Sequence, residues 1–368
     1  MKKVANIIFL IALAVLVLSC TEKTRKENSQ MATTFYIGTY TNTQSEGIYT
    51  YALHKNGELE RIGLAATSEN PSFLTKSTDG KYLIAANENE EGTLSSFKID
   101  GDSLHLINLA SSGGVHPCFV TANDKGQVLA ANYSSGTIGL LQINMKGQLS
   151  PILDVQQHSG KGIHPRQDAA HAHSTWFDPD GKIIISVDLG TNELVFSTID
   201  TGTNKLLPAT QHSLKMDPGA GPRHLAFYPE KPWIYVVNEL TSSVSLVVKD
   251  SVYSLKSSFS TLPESFTEEN TCADIHISND GRFLYASNRG HNSIAIFSIG
   301  TDGNLTLIGH ESTRGEGPRN FALSPDNAFL LVANQLTDKI VSFKRDTNSG
   351  KLEYISEIAA PTPVCILF

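Results

Sequence analysis

Six times between residues 71 and 335 the chain runs through one pattern: a short apolar strand, a tight turn, and a second strand ending in Asn or Asp. PSFLTKSTDGKYLIAANE (71–88) aligns with PRHLAFYPEKPWIYVVNE (222–239), CADIHISNDGRFLYASNR (272–289) and PRNFALSPDNAFLLVANQ (318–335). PCFVTANDKGQVLAANY (117–133) fits with one deletion, and AHSTWFDPDGKIIISVDL (172–189) fits with Asp188 replacing Asn. The anchors at 71, 117, 172, 222, 272 and 318 are 46, 55, 50, 50 and 46 residues apart. Further strand-like runs follow each hairpin, such as GTLSSFKI (92–99) and SLHLI (103–107). Four strands per repeat of this length predict a propeller blade. No helical period competes outside the N-terminal segment.

The ends settle the blade count. FYIGTYT (35–41) resembles a second strand without its first, and TPVCILF (362–368) a first strand without its second, with Pro363 at the anchor position. The expectation is therefore an all-β, seven-bladed β-propeller with four-stranded blades, the C-terminal strand closing the ring as the innermost strand of the N-terminal blade. Closure removes a free inner edge.

The first twenty residues stand apart. Lys2 and Lys3 precede an apolar run from Val4 to Leu18, too short to span a membrane comfortably. Val17-Leu18-Ser19-Cys20 resembles a bacterial lipobox, in which Cys20 receives the lipid anchor. The expected organisation is a lipoprotein signal peptide at 1–20, a polar tether at 21–33 and one propeller domain at 34–368. It places an exported protein on a membrane by its lipid anchor, in the periplasm or cell envelope of a bacterium. Loss of Lys2 and Lys3 takes the formal charge from −8 to −10, which argues against nucleic acid as a partner. Cys118, Cys272 and Cys365 then remain, without CxxC or Cys/His metal spacing, and read as buried thiols.

Antiparallel blades bring the start of each first strand and the end of each second strand to the same face, beside the central channel. Just after the anchors stand Ser72, Cys118, His173, Arg223, Ala273, Arg319 and Val364. At the second-strand ends stand Asn87-Glu88, Asn132-Tyr133, Asp188-Leu189, Asn238-Glu239, Asn288-Arg289 and Asn334-Gln335. The repeated Asn suits a structural role in satisfying turn backbone groups. The varied neighbours do not. His173, Arg223, Glu239, Arg289 and Arg319 are expected to converge on one polar pocket from blades four to seven.

The stretch IHPRQDAAHAHSTWFD (163–178) holds His164, His171 and His173. A shared metal is disfavoured, because His171 and His173 lie two apart on an extended segment and point oppositely. His164 belongs to the long connection entering blade four and is expected to carry no chemistry. Asp178-Pro179-Asp180-Gly181 sits at a blade turn rather than in a calcium site.

YIGTYT, HAHSTWFDPDG, GPRHLAFYP, VVNEL, IHISNDGRFLYASNRG and PRNFALSPD resemble the seven-bladed propeller lactonase family over residues 34 to 368. That family includes one type of 6-phosphogluconolactonase and is related to carboxy-muconate lactonizing enzymes. The resemblance implies hydrolysis or formation of a lactone, a small-molecule lactone substrate and no cofactor. It implies catalytic roles for His173, Arg223, Glu239 and Arg289. His173 or Glu239 would be the base, and Arg223 and Arg289 the anion and oxyanion groups. His171, Asp188, Arg319 and Gln335 would bind substrate or shape the pocket. The export signal points away from a cytoplasmic phosphorylated sugar and toward an extracytoplasmic lactone. The alternative is a non-catalytic exported propeller that binds a glycan or protein partner at the same face. The sequence leaves the oligomeric state open.

Overall fold

A computed structural model of the protein describes residues 32–368; the signal segment, Cys20 and most of the tether lie outside the described residues. Seven four-stranded antiparallel sheets form the ring. Blade five is typical, running Pro222–Phe227, Trp233–Asn238, Ser243–Lys249 and Tyr253–Ser260 from the axis outward. The other innermost strands begin at Pro71, Pro117, Ala172, Thr271, Pro318 and Pro363. Proline is tolerated at these positions because a first strand residue need not donate to the ladder.

The ring closes as the sequence predicts. Pro363–Leu367 is the innermost strand of the first blade, pairing antiparallel with Thr33–Thr39. Phe368 packs its ring 5.2 Å from that of Phe35. Ile366 also donates its N–H to Asn320 Oδ1 of blade seven, so the closing strand is tied to both neighbours.

Middle strands are buried on both sides, because each blade face packs on the next blade. Phe329–Asn334 is buried at every position, whereas the outer strand Leu352–Ala359 alternates toward water. Each blade interface holds its own apolar cluster; Leu225, Val236 and Val247 of blade five pack with Ile185 and Phe196 of blade four. The expected turns are present: Asp178 Oδ1 accepts from the N–H groups of Lys182 and Ile183 at 2.7 and 2.9 Å, and Gly181 takes a positive φ of 64°.

The repeated Asn staples blades together. Asn132 Nδ2 donates to the Ser112 carbonyl at 3.0 Å, on the segment leaving the preceding blade. Asn288 and Asn334 do the same to Thr261 and Thr313, each at 2.9 Å. Asn132 is fully buried and also accepts from the Ser112 hydroxyl at 2.6 Å. Asn132→Ala is expected to lower unfolding stability by about 1–3 kcal/mol, because it takes the Asn132 donor from the Ser112 carbonyl in a buried setting. Urea unfolding checks this; a loss below about 0.5 kcal/mol, the scale of a surface change, would contradict the staple.

Candidate active site

A repeated backbone irregularity explains the column of residues after the anchors. In each blade the register of the two inner strands slips just there, as between Ala172 and Ser174, Pro222 and His224, and Pro318 and Asn320. The skipped residues include Ser72, Cys118, His173, Arg223 and Arg319. A β-bulge leaves one residue outside the ladder and re-aims its side chain. Bulges repeated around a ring turn one position per blade into a candidate mouth residue.

These residues meet the second-strand ends around a cavity of about 240 Å³. Tyr40, Glu88, Cys118, Tyr133, Arg166, His173, Glu239, Arg289 and Arg319 line it. Glu239 is the electrostatic centre. Its Oε2 lies 3.0 Å from Arg223 Nε and 3.1 Å from Arg289 Nη2, and its Oε1 lies 2.7 Å from Arg166 Nη2. Across the cavity, Tyr40 donates to Glu88 Oε2 at 2.8 Å, and Arg319 lies over the Tyr40 ring with Nη2 4.0 Å from the same oxygen.

Burial favours the neutral acid of Glu239, but Arg289, Arg223 and Arg166 outweigh it and bring the pKa down to about 2. His173 is pushed well below the ordinary histidine value, first by burial and then by Arg223, His224 and Arg319. The cavity therefore holds a permanently charged carboxylate and a neutral imidazole at neutral pH. Cys118 Sγ lies 3.3 Å from the His173 carbonyl and 3.7 Å from its Nδ1; burial pushes the thiol pKa up, so it stays protonated.

Behind His173 lies an aromatic cluster. His224 sits among the rings of Phe73, Phe119, Trp176 and His173, with centroids 5.5 to 6.4 Å away. Its Nδ1–H donates to Asp274 Oδ1 at 2.9 Å, while Asp274 Oδ2 accepts from Asn320 Nδ2 at 2.6 Å and from His276 Nε2 at 3.1 Å. Arg223 Nη1 is shared between His224 Nε2 and the Ala273 carbonyl.

Linkage gives this site an acid sensitivity. His224 is held at about 4, first by burial and then by Arg223. A histidine whose folded pKa is lowered binds its proton more readily when unfolded, so stability is full above about 6.5 and falls as pH drops below it. Glu239 adds a second loss below 4.5, toward about 2. Stability is therefore expected to be level from pH 7 to 8 and to fall below about 6.5, with His224→Phe flattening the slope between about 6.5 and 4. Urea midpoints measured across this range check it; an unchanged slope in the variant would contradict it.

Of the sequence-predicted residues, His173, Glu239, Arg289 and Arg319 line the cavity together. Arg223 lies behind Glu239 and does not line it. His171 stacks on Tyr133 at 4.7 Å and bonds Asp168 and the Tyr133 carbonyl, one layer outside the cavity. Asp188 is fully buried, pairs with His158 Nδ1 at 2.8 Å and accepts the backbone N–H groups of His171 and Thr191; it supports the loop rather than facing the pocket. Gln335 opens a short 3₁₀ turn and is not among the lining residues. His164 accepts from the Arg166 N–H within its loop. Sequence reasoning missed Tyr40, Glu88, Cys118, Tyr133 and Arg166. The first four occupy the same two blade positions as the predicted residues. Arg166 lies in the long connection into blade four, two residues after His164.

Residues 34–368 match the family model described as "Lactonase, 7-bladed beta-propeller". The chain belongs to the seven-bladed β-propeller lactonase family. A 6-phosphogluconolactonase from Bacillus subtilis is 35% identical over 343 residues, covering 90% of this chain and 97% of its own. One from Formosa agariphila is 36% identical over 339 residues, covering 88% and 95%. The structure of a periplasmic gluconolactonase from Pseudomonas aeruginosa superposes with a TM-score of 0.86 at 29% identity, covering 91% of this chain and 98% of that one. As a member of this lactonase family, the chain is a carboxylic ester hydrolase of the lactone-opening class. Among the described residues, no helix is long and apolar enough to cross a membrane.

Proposed function

We propose that the propeller hydrolyses a sugar-acid lactone in the Glu239 cavity, with His173 as general base. The observation that carries this reading is a buried, neutral imidazole facing the same small cavity as the guanidiniums of Arg289 and Arg319. Water attacks the lactone carbonyl carbon while His173 accepts its proton. The carbonyl π electrons move onto oxygen, where Arg289 and Arg319 stabilise the charge. Collapse re-forms the carbonyl and breaks the bond to the ring oxygen, which takes the proton from the imidazolium; the open aldonic acid then loses its carboxyl proton to solvent and leaves as the aldonate. Glu239, held at about 2, is too weak a base for the proton transfer. Its place is to gather the arginines, and Arg223 holds it from behind.

The charge balance favours a plain lactone. Four guanidiniums, of Arg166, Arg223, Arg289 and Arg319, stand against three carboxylates, of Glu88, Glu239 and Asp274. One surplus positive charge suits the oxyanion of a neutral substrate. The relatives named for 6-phosphogluconolactone make the phosphorylated lactone the main competitor. Acid release from a panel of plain and phosphorylated sugar lactones tests both. Faster turnover of plain lactones supports the reading; a phosphorylated preference overturns the substrate and keeps the reaction. No acceleration of any lactone overturns the reaction in favour of a binding module.

We also propose that Cys20 carries a lipid anchor in the cell envelope, a reading supported by the lipobox and by similarity to a periplasmic gluconolactonase. Cys20→Ser should move the protein from the membrane fraction to the soluble one. Unchanged fractionation would overturn the anchor.

A further inference from the structure

Arg166 reaches the cavity by a route unlike the others. Between Gln157 and Ala172, where blade three gives way to blade four, the chain makes its longest connection between blades. Its root is fixed. Gln167 is fully buried and donates through Nε2 to the Leu189 carbonyl at 2.8 Å and to Asn192 Oδ1 at 3.1 Å. The neighbouring Arg166 side chain is 44% exposed, against 3%, 17% and 18% for Arg223, Arg289 and Arg319. Both of its side-chain contacts, Glu239 Oε1 at 2.7 Å and the Tyr133 hydroxyl at 3.5 Å, use one nitrogen, Nη2. A guanidinium has five N–H donors.

Glu239 keeps two ion-pair partners without Arg166. Its Oε2 is already held by Arg223 and Arg289, both more deeply buried. Arg166 is thus a cavity-lining cation on a rigid root, with spare donors and an anionic partner that stays paired without it.

We propose that Arg166 binds the carboxylate of the opened product, exchanging Glu239 for it; this rests on the lactonase reading above. Ring opening turns a neutral ester into a carboxylate, whose two oxygens match a guanidinium edge. The residue would then set product affinity, and the affinity for the acid when the lactone is formed in reverse.

The test is calorimetric binding of gluconate and of 6-phosphogluconate to the wild type, Arg166→Ala and Arg166→Lys. Both probes carry the carboxylate and only the second a phosphate. Arg166→Ala is expected to weaken both by a similar factor, about 10- to 100-fold, the worth of a hydrogen bond to a charged group. Arg166→Lys should recover part of the loss, since a lysine keeps the charge without the fork. Thermal unfolding should stay near wild type, because the side chain is half-exposed. Loss for 6-phosphogluconate alone would assign Arg166 to phosphate and overturn the proposal. Unchanged affinity, no wild-type binding of either probe, or a large drop in thermal stability would overturn it too. Binding does not require turnover, so failure here is distinct from failure of the hydrolysis assay.

Discussion

His173→Ala is expected to lower kcat for lactone hydrolysis by about 10²–10⁴-fold, the usual worth of a positioned general base. The side chain stands on a bulge and its ring faces the cavity edge-on to Tyr133, with centroids 5.5 Å apart. It is not part of an ion pair that the ring needs, so the variant should fold. Its neutral state also sets the pH profile. A base whose pKa is pushed below the ordinary histidine value of about 6.5 remains active into mildly acidic solution. In the wild type the acid limb of kcat/KM should therefore lie below about 6.5. Steady-state kinetics across pH measure both expectations. Near wild-type kcat in a correctly folded His173→Ala protein would remove the histidine from the chemistry.

Glu239→Gln attacks the other half of the site. The carboxylate is 3% exposed and touches three guanidiniums. Neutralising it leaves Arg223 and Arg289 buried together without their shared anion. Removing one partner of a buried ion pair typically costs about 3–5 kcal/mol, because the remaining charge stays desolvated. That loss should appear in urea unfolding at pH 7 and should shrink toward pH 2, where the wild-type carboxylate itself becomes protonated. Activity should fall as well, since Arg289 loses the group that aims it. A stability change within about 0.5 kcal/mol, the range of surface substitutions, together with full activity would show that Glu239 is not the organising charge.

The blade count and the closing strand were legible, because each follows from a repeat anchored on Pro and Asn. The two mouth columns were legible as positions, and the bulge beside each anchor supplies their physical basis. Roles were less so. Arg223 follows an anchor and Arg289 ends a second strand, and both columns point to the mouth, but Arg223 turns under Glu239 to reach His224 while Arg289 faces the cavity. Tyr40, Glu88 and Tyr133 lie in the same column as Glu239 but on blades one to three, opposite the charged run of blades four to seven. Asp188 replaces the stapling Asn, yet its burial against His158 makes it a support. Arg166 had no repeat position to mark it. Only the long spacing into blade four hinted that the connection had something to reach.

The strand that seals the ring has a consequence in time. Pro363 is joined to the chain about 330 residues after Thr33. At a synthesis rate of about 5–20 residues per second, the first blade waits roughly 15–65 s for its innermost strand. Throughout that interval the Thr33–Thr39 edge is open to any extended peptide nearby, including the same edge of another unfinished copy. A chain made this way resembles a clasp that fastens with its last link. Its vulnerable period is set by the clock of synthesis or translocation rather than by the strength of the finished fold.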